Sequence, residues 1–173
     1  MTLKEIQSLI VDVPDFPSPG IVFKDITPLL ADPAGFAAVI GHLEDRARNH
    51  GAEAIFGIES RGFIFGAALA ERMQLPLHLV RKKGKLPRET VSMAYELEYG
   101  VDHLEVHRDA VVAGTRCLIV DDVIATGGTA AAAAKLLESQ GAEVAALAFV
   151  IELCFLDGRS RLNGHNVESL VSY

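Results

Sequence analysis

The sequence predicts an α/β fold, a parallel sheet flanked by helices. Three observations predict it. Short apolar runs, "EAIFGIE", "LPLHLVRK", "TRCLIVDD" and "AEVAALAFVIEL", alternate with segments of helical spacing. Those runs are almost continuously Val, Ile, Leu and Ala rather than alternating apolar and polar. That pattern marks strands covered on both faces. Strand, helix and strand then follow one another with short Gly-containing joins, as parallel strands require.

The elements follow in order. Leu3, Ile6, Leu9 and Ile10 lie at helical spacing and predict a helix over 3–11. The stretch "PDFPSPGIVFKDITP" reads as turn and loop. Asp32 and Pro33 suit an N-cap and a first helical residue, and the amphipathic segment "PAGFAAVIGHLEDRARNH" runs on to a stop at Gly51. A strand is expected over 53–59, a helix over 62–73 and a strand over 75–82. The stretch 84–110 is mixed, with alternating pieces such as "HLEVHRD". A strong buried strand at 115–122 precedes an Ala-rich helix at 127–140, closed by Gly141, and a last buried strand at 142–153.

The chain has 173 residues, half of them apolar, which suits one domain over 1–173. Sixteen basic residues against 23 acidic ones give a net charge of −7. Such a balance excludes a general affinity for nucleic acid or for an acidic membrane surface. Cys117 and Cys154 lie in apolar runs, where reduced, buried thiols are expected rather than a disulfide. The start lacks the basic-then-apolar layout of a signal peptide, and the longest apolar run, "VAALAFVI", is too short to span a bilayer. A cytoplasmic location is the expectation.

In open parallel sheets the ligand lies beyond the carboxyl ends of the strands. There the segment "CLIVDDVIATGGTAAAA" stands out. An apolar strand runs into adjacent carboxylates, Asp121 and Asp122, and then into a loop of small residues, Ala125, Thr126, Gly127, Gly128 and Thr129, that opens a helix. Two glycines let main-chain N–H groups converge, and the helix N-terminus adds positive potential there. That is a cradle for a phosphate. The acids repel a phosphate but accept hydrogen bonds from a ribose diol. The whole run therefore reads a ribose 5-phosphate.

This run resembles the signature of the type I phosphoribosyltransferases. The segments "FPSPGIVFKDITPLLADP", "GIESRGFIFGAALA", "VRKKGKLP" and "YELEYG" narrow the resemblance to the adenine phosphoribosyltransferase family, in matching order and separation from about Phe16 to the C-terminus. The resemblance implies the type I phosphoribosyltransferase fold with a small hood, formed by parts of the N-terminal region and roughly 84–110. It implies that the "GIESRGF" turn, through Ser60 and Arg61, binds pyrophosphate and contains a non-proline cis peptide. Five cations, Arg81, Lys82, Lys83, Lys85 and Arg88, fall within eight residues of an acidic chain. Of these, the resemblance gives Arg81 and Lys85 to the diphosphate of phosphoribosyl diphosphate (PRPP), Lys85 from a partner subunit. Glu98 matches the general acid/base near the purine, and Tyr99 a residue beside the reacting centre. Where the family often has a lysine soon after the hood glycine, Val101 and Asp102 follow here. Backbone groups around Val22 and Lys24 would bond the adenine edge, with Phe23 and Val123 as apolar faces.

The expected function is transfer of the 5-phosphoribosyl group from PRPP to adenine, giving AMP and pyrophosphate in purine salvage. The implied cofactor is Mg2+, held by substrate oxygens and water with no direct side-chain ligand, and the implied assembly is a homodimer. Two alternatives stay open: transfer to a 6-oxo purine, and a non-catalytic PRPP-sensing regulator of the same fold. His103, Glu105 and His107 share one face of a strand pattern, which reads as a polar solvent face rather than a metal site. There is no P-loop pattern, since Leu86 rather than Ser or Thr follows Lys85.

Overall fold

A computed structural model describes residues 1–96 and 100–173. The chain divides into two compact units, residues 1–42 and 43–173.

In the first unit, α1 (Leu3–Ser8) opens on a capping box in which Glu5 N–H donates to the Thr2 hydroxyl and Thr2 N–H donates to the Glu5 carboxylate. The stretch read as loop contains an antiparallel pair, β1 (Val11–Pro14) and β2 (Val22–Asp25), and a short helix, α2 (Thr27–Ala31). Pro and Gly mark the turn between the strands, and their density hid strands of four residues each. Gly35 N–H donates to Asp32 Oδ1 at 2.7 Å, so Asp32 caps α3 (Pro33–Asn49) as its position suggests. That helix continues into the second unit.

The second unit is built on a seven-stranded sheet among the described residues. Its strands are β3 (Ala54–Ile58), β4 (Leu77–Lys82), β5 (Thr90–Glu96), β6 (Val101–His107), β7 (Arg116–Ile124), β8 (Glu143–Glu152) and β9 (Val167–Ser172). The order is β5-β6-β4-β3-β7-β8-β9. Pairing is parallel from β4 through β9 and antiparallel for β4/β6 and β5/β6. The predicted parallel core is present, and the mixed stretch adds an antiparallel ribbon at one edge. Every residue of β3 is buried, as the continuous apolar run requires. Helix α5 (Gly128–Ser139) covers the sheet face that carries Phe56, Ile58, Ile119 and Phe149. Helix α4 (Gly62–Met73) packs on β3 and β7, and a Cβ on Gly57 would already lie 3.3 Å from the Gly62 carbonyl oxygen.

Cys117 is buried in β7, and burial pushes its thiol up to about 12. The expectation of a buried thiol fails for Cys154, which is exposed. β8 ends two residues earlier and the chain turns outward in a 3-10 turn. Among the described residues, no helix is long and apolar enough to cross a membrane.

Candidate active site

Within the second unit, the carboxyl ends of β3, β4 and β7 open on a cavity of about 410 Å3. Its lining brings together Ser60 and Arg61, the Asp121–Asp122 pair, Val123, and the whole loop from Ala125 to Thr129. Glu59, Lys82, Tyr95 and Asp102 complete its polar wall. These come from five separate places in the sequence; parallel strand ends gather 59–61, Lys82 and 121–129, and the antiparallel β5–β6 ribbon brings Tyr95 and Asp102.

The Ala125–Thr129 loop, predicted to cradle a phosphate, is shaped by backbone. Gly127 takes φ +76°, the left-handed region, and forms the N-cap of α5. Gly127, the N-cap residue, makes no side-chain cap hydrogen bond to this helix. Its first amides have no partner within the helix, so they present N–H donors and positive potential to the cavity. Thr126 is exposed and Thr129 half-buried. Behind the loop, a Cβ on Gly127 would lie 2.2 Å from the Gly158 carbonyl oxygen, and one on Gly158 would lie 2.1 Å from the Ala125 carbonyl oxygen. Two glycine backbones therefore touch where no side chain fits.

The aspartates stand just before that loop. Asp122 N–H donates to Asp121 Oδ1 at 2.9 Å. Burial, and then the charge of Asp122 beside it, push the Asp121 carboxyl well above the usual carboxylate range. Arg61 donates from Nε to Asp122 Oδ2 at 2.5 Å, and only 6% of the Asp122 side chain is exposed. Arg61 thus joins the turn after β3 to the aspartate pair at the end of β7. Gly62 permits this approach, because a Cβ there would meet the Val120 carbonyl oxygen at 2.6 Å and Asp121 Oδ1 at 2.9 Å. The peptide bond between Glu59 and Ser60 is cis, as the resemblance implied.

The opposite wall is polar side chain. Lys82 Nζ lies 3.3 Å from Asp102 Oδ2, and that hydrogen bond raises the lysine's pKa. The His103 N–H and Lys82 hold Asp102 below its usual value. Tyr95 reaches toward Asp102 at 3.4 Å and lies beside the Thr129 hydroxyl; its burial raises the phenol's pKa.

Other predicted residues lie elsewhere. Arg81 does not line the cavity. It donates to both carboxylate oxygens of Glu59, at 3.1 and 3.2 Å, and to the Lys85 carbonyl oxygen at 2.9 Å. Burial opposes ionisation of Glu59, but Arg81 and the Lys82 N–H outweigh it and hold its pKa low. Lys85 is exposed and also outside the lining. In the first unit, Val22 is exposed, Phe23 meets Phe16 edge-on at 5.2 Å, and Lys24 Nζ pairs with Asp12 at 2.6 Å. Glu98 and Tyr99 lie outside the described residues.

Sequence reading missed Glu59, Tyr95, Asp102 and Gly158 as residues that shape this site. Glu59 and Tyr95 lie inside the segments "GIESRGF" and "YELEYG" but are not singled out there, and Asp102 figures only as a departure from the family pattern. Gly158 had a signal: Asp157-Gly158 is a turn dipeptide just past a strand's carboxyl end, where ligands are sought.

Residues 25–164 match the family described as phosphoribosyl transferase domain. A curated adenine phosphoribosyltransferase of Solibacter usitatus is 54% identical over 171 residues, 99% of each chain. A crystal structure of the adenine phosphoribosyltransferase of Thermoanaerobacter pseudethanolicus has a TM-score of 0.96 and 50% identity, covering 99% of this chain and 100% of that one. The Saccharomyces cerevisiae enzyme, solved with D-2,5-dideoxy-2,5-imino-altritol 1,6-bisphosphate and adenine, has a TM-score of 0.92 and 43% identity, covering 98% of each.

Proposed function

The chain belongs to the adenine phosphoribosyltransferase family, and we propose that its reaction runs in the cavity where β7 passes into α5. It transfers the 5-phosphoribosyl group of PRPP to adenine, giving AMP and pyrophosphate, a purine-salvage reaction. One observation carries the location: two adjacent carboxylates and the uncapped start of a helix share one cavity. Few other ligands need a diol acceptor next to a phosphate cradle.

In this reading the Thr126–Thr129 amides hold the 5-phosphate, and Asp121 and Asp122 accept from the ribose hydroxyls. Ser60 and Arg61 receive the pyrophosphate. Pyrophosphate leaves C1, a cationic sugar centre develops, and the purine N9 attacks with inversion. Arg61 stabilises the charge on the departing group and steadies Asp122 at the same time. Holding both substrates in line supplies much of the acceleration. Val123, on the cavity wall, and Val22, Phe23 and Lys24 serve the base; backbone acceptors for a 6-amino group would reject a 6-oxo purine by about 1–3 kcal/mol. Glu98 handles the purine proton, and Tyr99 serves the pyrophosphate next to the reacting centre. Its replacement by Gln lowers kcat about 100-fold with little change in PRPP affinity, and turnover at the native rate would remove Glu98 from the mechanism.

The cavity offers carboxylate and hydroxyl oxygens, the donors that Mg2+ takes, and among the described residues no three His, Cys, Asp or Glu groups form a dedicated cage. Mg2+ would be carried on the substrate's diphosphate and ribose oxygens and on water, with no direct side-chain ligand. Its chemistry is to neutralise diphosphate charge. Arg81 and Lys85 are outside this cavity's lining, Arg81 being held on Glu59 at its rim, and in a homodimer Lys85 of the partner subunit completes the diphosphate site. We place the enzyme in the cytoplasm.

The test is base competition. With PRPP and Mg2+ present, adenine, hypoxanthine and guanine compete for pyrophosphate release. Adenine is expected to be consumed first, and turnover of only the oxo purines would contradict the reading.

A further inference from the structure

The turn after β8 makes a close backbone approach to the Ala125–Thr129 loop, although nothing in it lines the substrate cavity. Gly158 is buried, and its Cβ position falls 2.1 Å from the Ala125 carbonyl oxygen and 2.9 Å from the Gly127 amide nitrogen. No real Cβ sits that close, so the two segments touch main chain to main chain. The loop rests on this turn.

The turn itself is pinned by an ionic clamp. Arg159, the next residue, donates from Nε to Glu152 Oε1 at 2.9 Å and from Nη2 to Oε2 at 2.6 Å. Its Nη1 donates to the Val167 carbonyl oxygen at 2.7 Å. The Ser169 hydroxyl donates to Glu152 Oε2 at 2.5 Å. The guanidinium thereby ties the end of β8 to β9 with its planar fork. Glu152 is the register partner of Ile124, the last residue of β7 before the loop. It is 8% exposed, and the Arg159 hydrogen bonds hold its carboxyl below the usual range. The clamp therefore stands one strand away from the loop and fixes the turn that backs it.

We propose that Gly158 and the Glu152–Arg159–Ser169 clamp are positioning residues for the 5-phosphate. They touch no substrate. They set the curvature of the 125–127 backbone, and with it the aim of the amides that grip the phosphate. The inference rests on the reading of the 125–129 loop as the phosphate site. Binding geometry held by a supporting shell is sensitive to small displacements, so the loss falls on phosphate recognition first.

Titration calorimetry on the full chain with ribose 5-phosphate and with ribose separates the two claims. The native protein is expected to prefer ribose 5-phosphate. Gly158→Ala and Arg159→Met are expected to cut that preference about tenfold, with a matching rise in KM for PRPP and little change in KM for adenine. Arg159→Lys recovers part of the loss, because it keeps a cation without the fork. If Gly158→Ala fails to fold, Arg159→Met and Ser169→Ala carry the same readout. A native preference that survives in all variants, or a loss of thermal stability with the ligand ratio intact, overturns the positioning role alone. No native preference overturns it together with the reading of the loop.

Discussion

Two walls of one cavity are built by different means. At the β7–α5 junction, main chain sets the geometry: Gly62 lies against the Val120 carbonyl, Gly127 and Gly158 touch, and the helix presents bare amides. At the β4 end and the β5–β6 ribbon, the wall is a set of partly exposed side chains, Lys82, Asp102 and Tyr95, linked by a 3.3 Å ion pair and a 3.4 Å contact. Backbone packing has few alternatives at native density, whereas exposed ion pairs are screened and trade readily for water. The first wall suits fixed anchoring of sugar and phosphate. The second suits adjustment around the group that leaves.

The contrast is open to breaking, starting where the effect is largest. Asp121→Asn with Asp122→Asn removes two charge-assisted acceptors and is expected to weaken PRPP binding by about 3 kcal/mol, roughly 100-fold, in titration calorimetry. Unchanged affinity would mean that the rigid wall does not read the diol. Next, Gly62→Ala forces a Cβ against the Val120 carbonyl oxygen at 2.6 Å, and urea unfolding should show a loss of about 2 kcal/mol. A neutral result would mean that this backbone yields as easily as the ribbon does. At the other wall, Lys82→Met or Asp102→Asn should change stability by about 0.5 kcal/mol or less, and by less still in high salt. A loss as large as that at Gly62 would erase the distinction.

A pH series sharpens it further. The folded pKa of Asp121 is raised, first by burial and then by Asp122. Its contribution to stability is full below the unfolded carboxylate pKa and is lost as pH rises through the raised folded value. Asp121→Asn cannot ionise. The mutant should therefore gain stability relative to the native protein as pH climbs from the ordinary carboxylate range through that raised value. A difference that stays flat across this window would show that the Asp121 environment carries no such penalty. Glu59 and Glu152 have the opposite sign, since their folded pKa values are lowered. Their contribution is lost only as pH falls below the usual carboxylate range.

The rigid wall was legible in the sequence because it is contiguous. Asp121 to Thr129 is one strand end, one loop and one helix start, and each residue type has a local physical reason to be there. The helix at 62–73 and the buried strands were legible for the same reason, through periodicity and apolar runs. What escaped depends on distance along the chain. Gly158 meets Gly127 across thirty-one positions, and although the Asp157-Gly158 dipeptide marks a turn, no local pattern names the backbone it touches. Tyr95 and Asp102 face each other only because β5 and β6 pair in antiparallel register. β9, "VESLVS", is too short and too polar to announce a strand, and it forms because β8 offers a parallel edge. Exposure of Cys154 followed from where β8 stops, which apolar content alone does not show.

The account stands on sugar and phosphate being anchored at the β7–α5 junction. A crystal structure of the protein with AMP tests that most directly. The expected result has the phosphate within hydrogen-bond reach of the 126–129 amides and the ribose hydroxyls on Asp121 and Asp122. AMP bound with its phosphate away from that helix start, or with its ribose clear of both aspartates, would contradict it.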